Sequence, residues 1–233
     1  VPGSRITREV DGVIITKSGQ EIGVAATKTF LTQMQALYAL AMHLAFKSGS
    51  IDHVMLKNWE NELRGIPSKI TQLLNSSESI KELVPKISKA NSTFFICRNI
   101  NYPIDLEGSL KLKEISYIHA EAYPGGELKH GPLALIDKNM PVIALAPDNE
   151  HLDKITSNIE EVAARKGKVI TIGPLGRTKI DKNGGHIKIP KTLDLLNPIV
   201  SVVPMQLIAY YTAVFKGTDV DKPRNLAKSV TVE

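Results

Sequence analysis

The chain has one cysteine in 233 residues, Cys97. That excludes an internal disulfide framework and any site built from several thiolates. Aromatic residues make up only 5% of the chain, too few for a base-stacking platform that would hold single-stranded nucleic acid. The net charge is +5, from 29 Lys and Arg against 24 Asp and Glu. No run of basic residues exceeds two, however, and acidic residues are interspersed throughout. This is a mixed surface and not a polyanion-binding stripe. The longest apolar stretch is read as Ala36 to Phe46, broken by His43, short of the ~18–20 residues a membrane span needs. No basic segment followed by an apolar one opens the chain. These readings point to a cytoplasmic protein with no membrane and no nucleic-acid partner. Val1-Pro2-Gly3-Ser4 reads as a mid-chain turn, which suggests that the sequence is part of a longer one.

Familiar nucleotide and hydrolase signatures are missing as well. There is no GxGxxG after a strand, no GxxxxGK[ST], no HExxH and no GxSxG. His119 and His130 flank a glycine-rich turn but are too few ligands for a metal centre, so neither a metal nor a cofactor is expected. Cys97 lies inside an apolar run and reads as a buried structural thiol.

What is present alternates. Asp11–Thr16 reads as a short strand and Val24–Phe46 as a long helix whose apolar stripe widens enough for burial on more than one side. Ser50 or Asp52 caps a further helix that should stop at Arg64–Gly65. Helical patterns continue over Ile66–Asn75 and Ser79–Lys89, so residues 51–82 read as a helical connector. Beyond residue 93, apolar strands at Thr93–Cys97, Pro141–Ala146, Lys168–Ile172 and His186–Ile189 alternate with helices at Ile104–Ala120, Asn149–Lys166 and Asn197–Phe215. Short buried strands separated by helices predict an α/β fold, a parallel sheet with helices on both faces. The organisation expected is the remainder of one lobe at 1–50, the connector at 51–82, a nearly complete lobe at 83–217 and a tail at 218–233. Composition alone reads that tail as disordered.

Two polar clusters stand out. Glu107, Lys111 and Glu114 recur at four- and three-residue spacing and share one helix face. They fit either a solvated ion-pair stripe or an acid–base pair, the second if the helix borders the ligand crevice at the carboxyl ends of the strands. Tyr123–Pro132 packs two prolines and three glycines around Glu127, Lys129 and His130. That makes a rigid loop, suited either to a plain turn or to an acid–base role for the histidine.

Four separated segments, in order, resemble the isomerase region of the glucosamine-6-phosphate synthase family, also called glutamine–fructose-6-phosphate aminotransferase. They are Glu21–Lys28, Leu106–Ala122, Gly126–Pro132 and Pro223–Glu233, and together they span essentially the whole chain. The resemblance implies two sugar-isomerase (SIS) lobes with five-stranded parallel sheets. It also implies synthesis of glucosamine 6-phosphate from fructose 6-phosphate and ammonia, the ammonia coming from a glutaminase domain absent here. The family's phosphate loop of the form Ser-Gln-Ser-Gly-Glu-Thr would lie upstream of Val1, and Ala26 stands where the family usually has serine. By motif, Glu114 resembles the residue that moves a proton between C1 and C2, and Lys111 the lysine beside it. Lys228 resembles the Schiff-base lysine and His130 the ring-opening group. Val24 and Ala227 resemble backbone contacts to the sugar. The resemblance implies a homodimer with the histidine loop reaching a neighbour's site, and a tail that folds over the pocket. A stand-alone sugar-phosphate isomerase or deglycase, or a non-catalytic sugar-phosphate-binding SIS protein, is the alternative.

Overall fold

The computed structural model describes residues 3–174 and 184–229. The opening Val1–Pro2 and the last four residues of the tail, 230–233, lie outside the described residues. In chain order the helices are α1 (Ile6–Glu9), α2 (Lys28–Lys47), α3 (His53–Asn75), α4 (Glu78–Lys81), α5 (Val84–Ser88), α6 (Tyr102–Ser116), α7 (Leu152–Ala163) and α8 (Asn197–Lys216). The strands are β1 (Ser92–Cys97), β2 (His119–Pro124), β3 (Pro141–Leu145), β4 (Lys168–Gly173) and β5 (Gly185–Lys188). They form one sheet in the order β2-β1-β3-β4-β5, every pair parallel. The expected fold class is what the structure has.

Alternation along the strands explains why both faces are covered. Successive side chains point to opposite faces. Phe95, Cys97, Ile143, Leu145, Ile170 and Ile172 therefore join one core with α6 and α8, while Phe94, Ile96, Val142, Ala144 and Val169 join a second under α7. Strands buried on both sides read as continuous apolar runs, which is how β1, β3 and β4 were legible. Close packing of α6 on α8 depends on Gly108. A Cβ there would lie 2.7 Å from Met205 Sδ and 3.0 Å from Phe95 Cε1.

The fifth strand, β2, is unexpected: the predicted helix covers its first two residues and the predicted rigid loop its last two. The helix expected to reach Ala120 ends at Ser116, because Tyr117 turns left-handed (φ 62°) and its N–H donates to Lys113 O. Beyond it the burial pattern changes to period two: Ile118, Ala120 and Ala122 are buried while His119 is exposed. His119 aligns with Ser92 and Pro124 with Cys97. Two other expectations are corrected. Asp11–Thr16 has no regular structure and joins no strand among the described residues. Its Val13, Ile14 and Ile15 are exposed, and no described strand pairs with it to supply a ladder. The helix expected to stop at Gly65 instead continues as α3 through Gly65 and Pro67. Leu56, Trp59, Leu63, Ile66, Ile70 and Leu73 recur every three or four residues and pack on the core, and that burial outweighs the local helix breakers. Asp52 caps α3, accepting from Met55 N at 2.7 Å.

Helix α2 starts at Lys28 and not at Val24. Phe30, Leu31, Met34 and Tyr38 pack against the core, but Leu37, Leu40 and Leu44 are exposed. The expected burial on more than one side is therefore not seen. The membrane reading needs one amendment. Among the described residues Asp194–Lys216, not Ala36–Phe46, is long and apolar enough to cross a bilayer, and 67% of its apolar 18-residue window is buried inside the fold. It is the central core helix of the larger apolar cluster.

Candidate active site

Helix α6 brings Glu107, Lys111 and Glu114 onto one face, and the face is inside. Lys111 is 4% exposed, and its Nζ donates to Glu114 Oε2 at 2.5 Å and lies 3.4 Å from Glu107 Oε1. Burial pushes the Glu107 carboxyl above its ordinary value, and the neighbouring Lys111 ammonium only partly offsets that. A buried cation between two carboxylates is not the solvated stripe, one of the two readings of this pattern. An ammonium out of water needs such partners.

The position of this cluster departs from expectation. Because α6 runs back along the sheet from the end of β1, Glu114 in its last turn lies near the amino ends of β1 and β2, where His119 pairs with Ser92. The carboxyl-end crevice, where ligands of parallel sheets usually bind, is at the other end. The turn Gly125–His130 is there, directly after β2. His130 is 76% exposed, with Nε2 4.0 Å from Glu127 Oε2. The length of β2, roughly 17 Å at about 3.3 Å per residue, thus separates His130 from Glu114 of the same chain. It also separates His119 from His130, so the two histidines share no metal site.

The tail joins the other candidates. Lys228 Nζ donates to Gly23 O at 2.7 Å and to Glu21 Oε2 at 3.0 Å. Val24 N donates to Asp221 O at 2.9 Å, and Ala227 is exposed beside them. A Cβ at Gly23 would lie 3.2 Å from Asp221 Oδ1, so the glycine lets the tail come this close. Earlier in the tail, Arg224 N donates to Tyr117 Oη at 2.8 Å, and the guanidinium stands 4.2 Å from the Tyr117 ring centroid. Arg224, Asn225 and Leu226 line, with Glu114 and Tyr117, a cavity of about 490 Å³. The described tail is therefore docked on the body, as the resemblance implies and composition does not. A larger cavity of about 840 Å³, between residues 14–16 and helices α2 and α3, holds none of the candidate residues.

Glu21 is the residue that motif reading passed over. Its side chain is 7% exposed. It accepts from the Thr29 hydroxyl at 2.5 Å, from Thr27 N at 2.9 Å and from Lys228. Burial pushes its carboxyl upward, but the Thr29, Thr27 and Lys228 hydrogen bonds outweigh that and hold it at about 2. It also caps the orphan amides that open α2, which is why the helix starts at Lys28. Cys97 is fully buried, its thiol pushed up by burial and by Asp105 beside it, as a structural cysteine should be. Among the described residues no group of three or more His, Cys, Asp and Glu is placed to hold a metal.

Known proteins resemble this chain in sequence and in fold. The SIS domain family model matches residues 86–216. Glutamine–fructose-6-phosphate aminotransferases of Methanosarcina acetivorans and Clostridium perfringens are 49% and 48% identical over the whole of this chain. The chain spans 38% and 39% of their lengths. The solved C-terminal domain of glucosamine-fructose-6-phosphate aminotransferase from Francisella tularensis superposes with a TM-score of 0.92 at 44% identity, over 95% of this chain and 63% of that one. A glucosamine-6-phosphate deaminase from Thermotoga maritima shares the fold at 22% identity, with a TM-score of 0.71 over 97% of this chain and 63% of that one. The match spans more than half of the sequence and falls on the five-stranded parallel sheet, so the chain belongs to the SIS domain family.

Proposed function

We propose that this chain is the isomerase part of an enzyme that makes glucosamine 6-phosphate from fructose 6-phosphate and glutamine-derived ammonia. The observation that carries the reading is the docked tail. Arg224 to Leu226 line the cavity that Glu114 borders, two residues before Lys228. In this reading residues 1–50 close a preceding lobe, 51–82 connect, 83–217 form the second lobe and 218–233 the catalytic tail.

The chemistry follows from these groups. His130 moves a proton to the ring oxygen and takes one from the anomeric hydroxyl, which opens the ketose. Once Lys228 leaves Glu21 and gives its extra proton to water, its amine adds to C2 and expels water, leaving an imine that acidifies C1 more than a ketone does. Ammonia then displaces the lysine amine at C2, so the nitrogen stays with the sugar. Glu114 takes the C1 proton and returns it to C2. Lys111, paired with Glu114 at 2.5 Å, holds that carboxylate in place. Backbone groups at Val24 and Ala227 contact the sugar. Since His130 stands at the far end of β2 from Glu114, its partner carboxylate belongs to a second copy, and the working form is a homodimer. We place it in the cytoplasm, with no membrane or nucleic-acid partner. A buried α8 and a mixed surface charge support this.

Borohydride reduction of the full-length protein with labelled fructose 6-phosphate tests the reading. The label is expected on the peptide carrying Lys228, and Lys228→Ala should lose it. A label on any other lysine, or none in the unsubstituted protein, overturns it.

A further inference from the structure

We propose that Tyr117 is a positioning residue that registers the tail bearing Lys228 against the helix bearing Glu114. The inference rests on the catalytic reading above and adds a residue to which that reading gives no role. Tyr117 grips Arg224 in two chemically different ways. Its hydroxyl accepts from the Arg224 backbone N–H at 2.8 Å, and its ring faces the guanidinium at 4.2 Å, within cation–π range. One contact fixes where the tail's backbone lies; the other fixes which way the residue faces.

The backbone around Tyr117 points the same way. The position ends α6 in the left-handed region, φ 62° and ψ 16°, where helices usually place glycine. A tyrosine held there keeps its side chain at the expense of the easier backbone. It lies only three positions after Glu114. A second tie secures the same helix end, Thr218 Oγ1 donating to Ile115 O at 2.6 Å. On the tail side Asn225 is also left-handed, φ 62°, so the chain turns immediately after the latched Arg224. Lys228 follows within three residues and is held at Gly23 and Glu21. The short stretch between Arg224 and Lys228 is therefore pinned at both ends, one of them to the helix that carries the proton-transfer carboxylate.

Two readouts in the full-length protein test this: amide hydrogen exchange over residues 219–229, and the rate of borohydride trapping at saturating fructose 6-phosphate. Tyr117→Ala should speed tail exchange and slow trapping by about 10-fold to 10²-fold, the scale of a ~1 Å misplacement. Tyr117→Phe keeps the ring and should fall between Tyr117→Ala and the unsubstituted protein. Arg224→Ala removes the stacking but keeps the backbone donor and the α6 cap, and should slow trapping by a similar intermediate factor. If Tyr117→Ala does not fold, Arg224→Ala and Tyr117→Phe decide alone. Unchanged trapping in these variants, or unchanged tail exchange, overturns the positioning role. An unsubstituted protein that traps nothing overturns the catalytic reading instead, and the positioning role with it. The exchange data would then still show whether the latch exists as a structural contact.

Discussion

Lys228 and Glu21, 207 positions apart, meet at 3.0 Å, so the tail is fastened to the turn that opens α2 by a charged pair. Glu21 is the buried partner and Lys228 the exposed one. The Glu21 carboxyl, at about 2, lies below its ordinary 4.5. A lowered carboxylate contributes stability that is complete above the unfolded value and is lost as pH falls through the folded one. Its contribution, ~3 kcal/mol from the shift, should therefore fade between about pH 5 and pH 2. Glu21→Gln should lose most of it at neutral pH, and the difference from the unsubstituted chain should vanish near pH 2. Urea unfolding across that range measures this; a constant difference at every pH would contradict it.

Lys111 sits between Glu107 and Glu114, and its removal leaves two poorly solvated carboxylates facing each other. Breaking a buried pair from one side typically costs about 3–5 kcal/mol. Lys111→Met, which keeps the stem, should destabilise by that order in denaturant unfolding. Lys111→Met with Glu107→Gln should recover part of the loss, because one of the stranded charges is gone.

Glu114→Gln separates proton transfer from imine formation. Trapping at Lys228 needs an amine and should survive, while exchange of the C1 proton with solvent should fall by about 10²–10⁴-fold. Proton NMR of fructose 6-phosphate in deuterated buffer reads the second quantity. Exchange that persists in the variant would assign the base elsewhere.

How much of this was legible beforehand follows from where the signals lie. Strands β1, β3 and β4 could be read because burial on both faces leaves an apolar run, and the edge strand β5 because Ile187 and Ile189 alternate with His186 and Lys188. Strand β2 could not: His119, Glu121 and Tyr123 sit on an edge strand among small alanines, and the run continues a helical pattern until Tyr117 reverses the backbone. Glu107, Lys111 and Glu114 were visible as a helix stripe, but only packing of α6 against α8 shows that the stripe is buried. Glu21 and Tyr117 carried no local signal, since the tail residues they hold lie more than a hundred positions away.

Gly108 gives a packing test. An added methyl would meet Met205 Sδ at 2.7 Å and Phe95 Cε1 at 3.0 Å. Met205 can yield, but the Phe95 ring is locked in the sheet core. Gly108→Ala should gain helix propensity and still lose about 1–3 kcal/mol overall through overpacking. Gly65, with open space around its missing Cβ, is the control. Gly65→Ala should stabilise by about 0.5–1 kcal/mol, as expected inside a helix. Both are measured by thermal unfolding.

The separation of His130 from Glu114 along β2 makes a prediction about assembly. If each active site takes Glu114 from one copy and His130 from the other, His130→Ala and Glu114→Gln proteins are each inactive alone. A mixed dimer then holds one site with both groups intact and one with neither. Random reassortment of equal amounts makes half the dimers mixed, so activity should recover to about a quarter of the unsubstituted level. The recovery should need subunit exchange: brief dissociation and reassembly should produce it, and mixing intact dimers without exchange should not. Because the two substitutions lie on separate surfaces, neither should disturb the fold of the other chain. Sites built within one copy would leave the mixture as inactive as its parts, and the homodimer would then contribute stability alone.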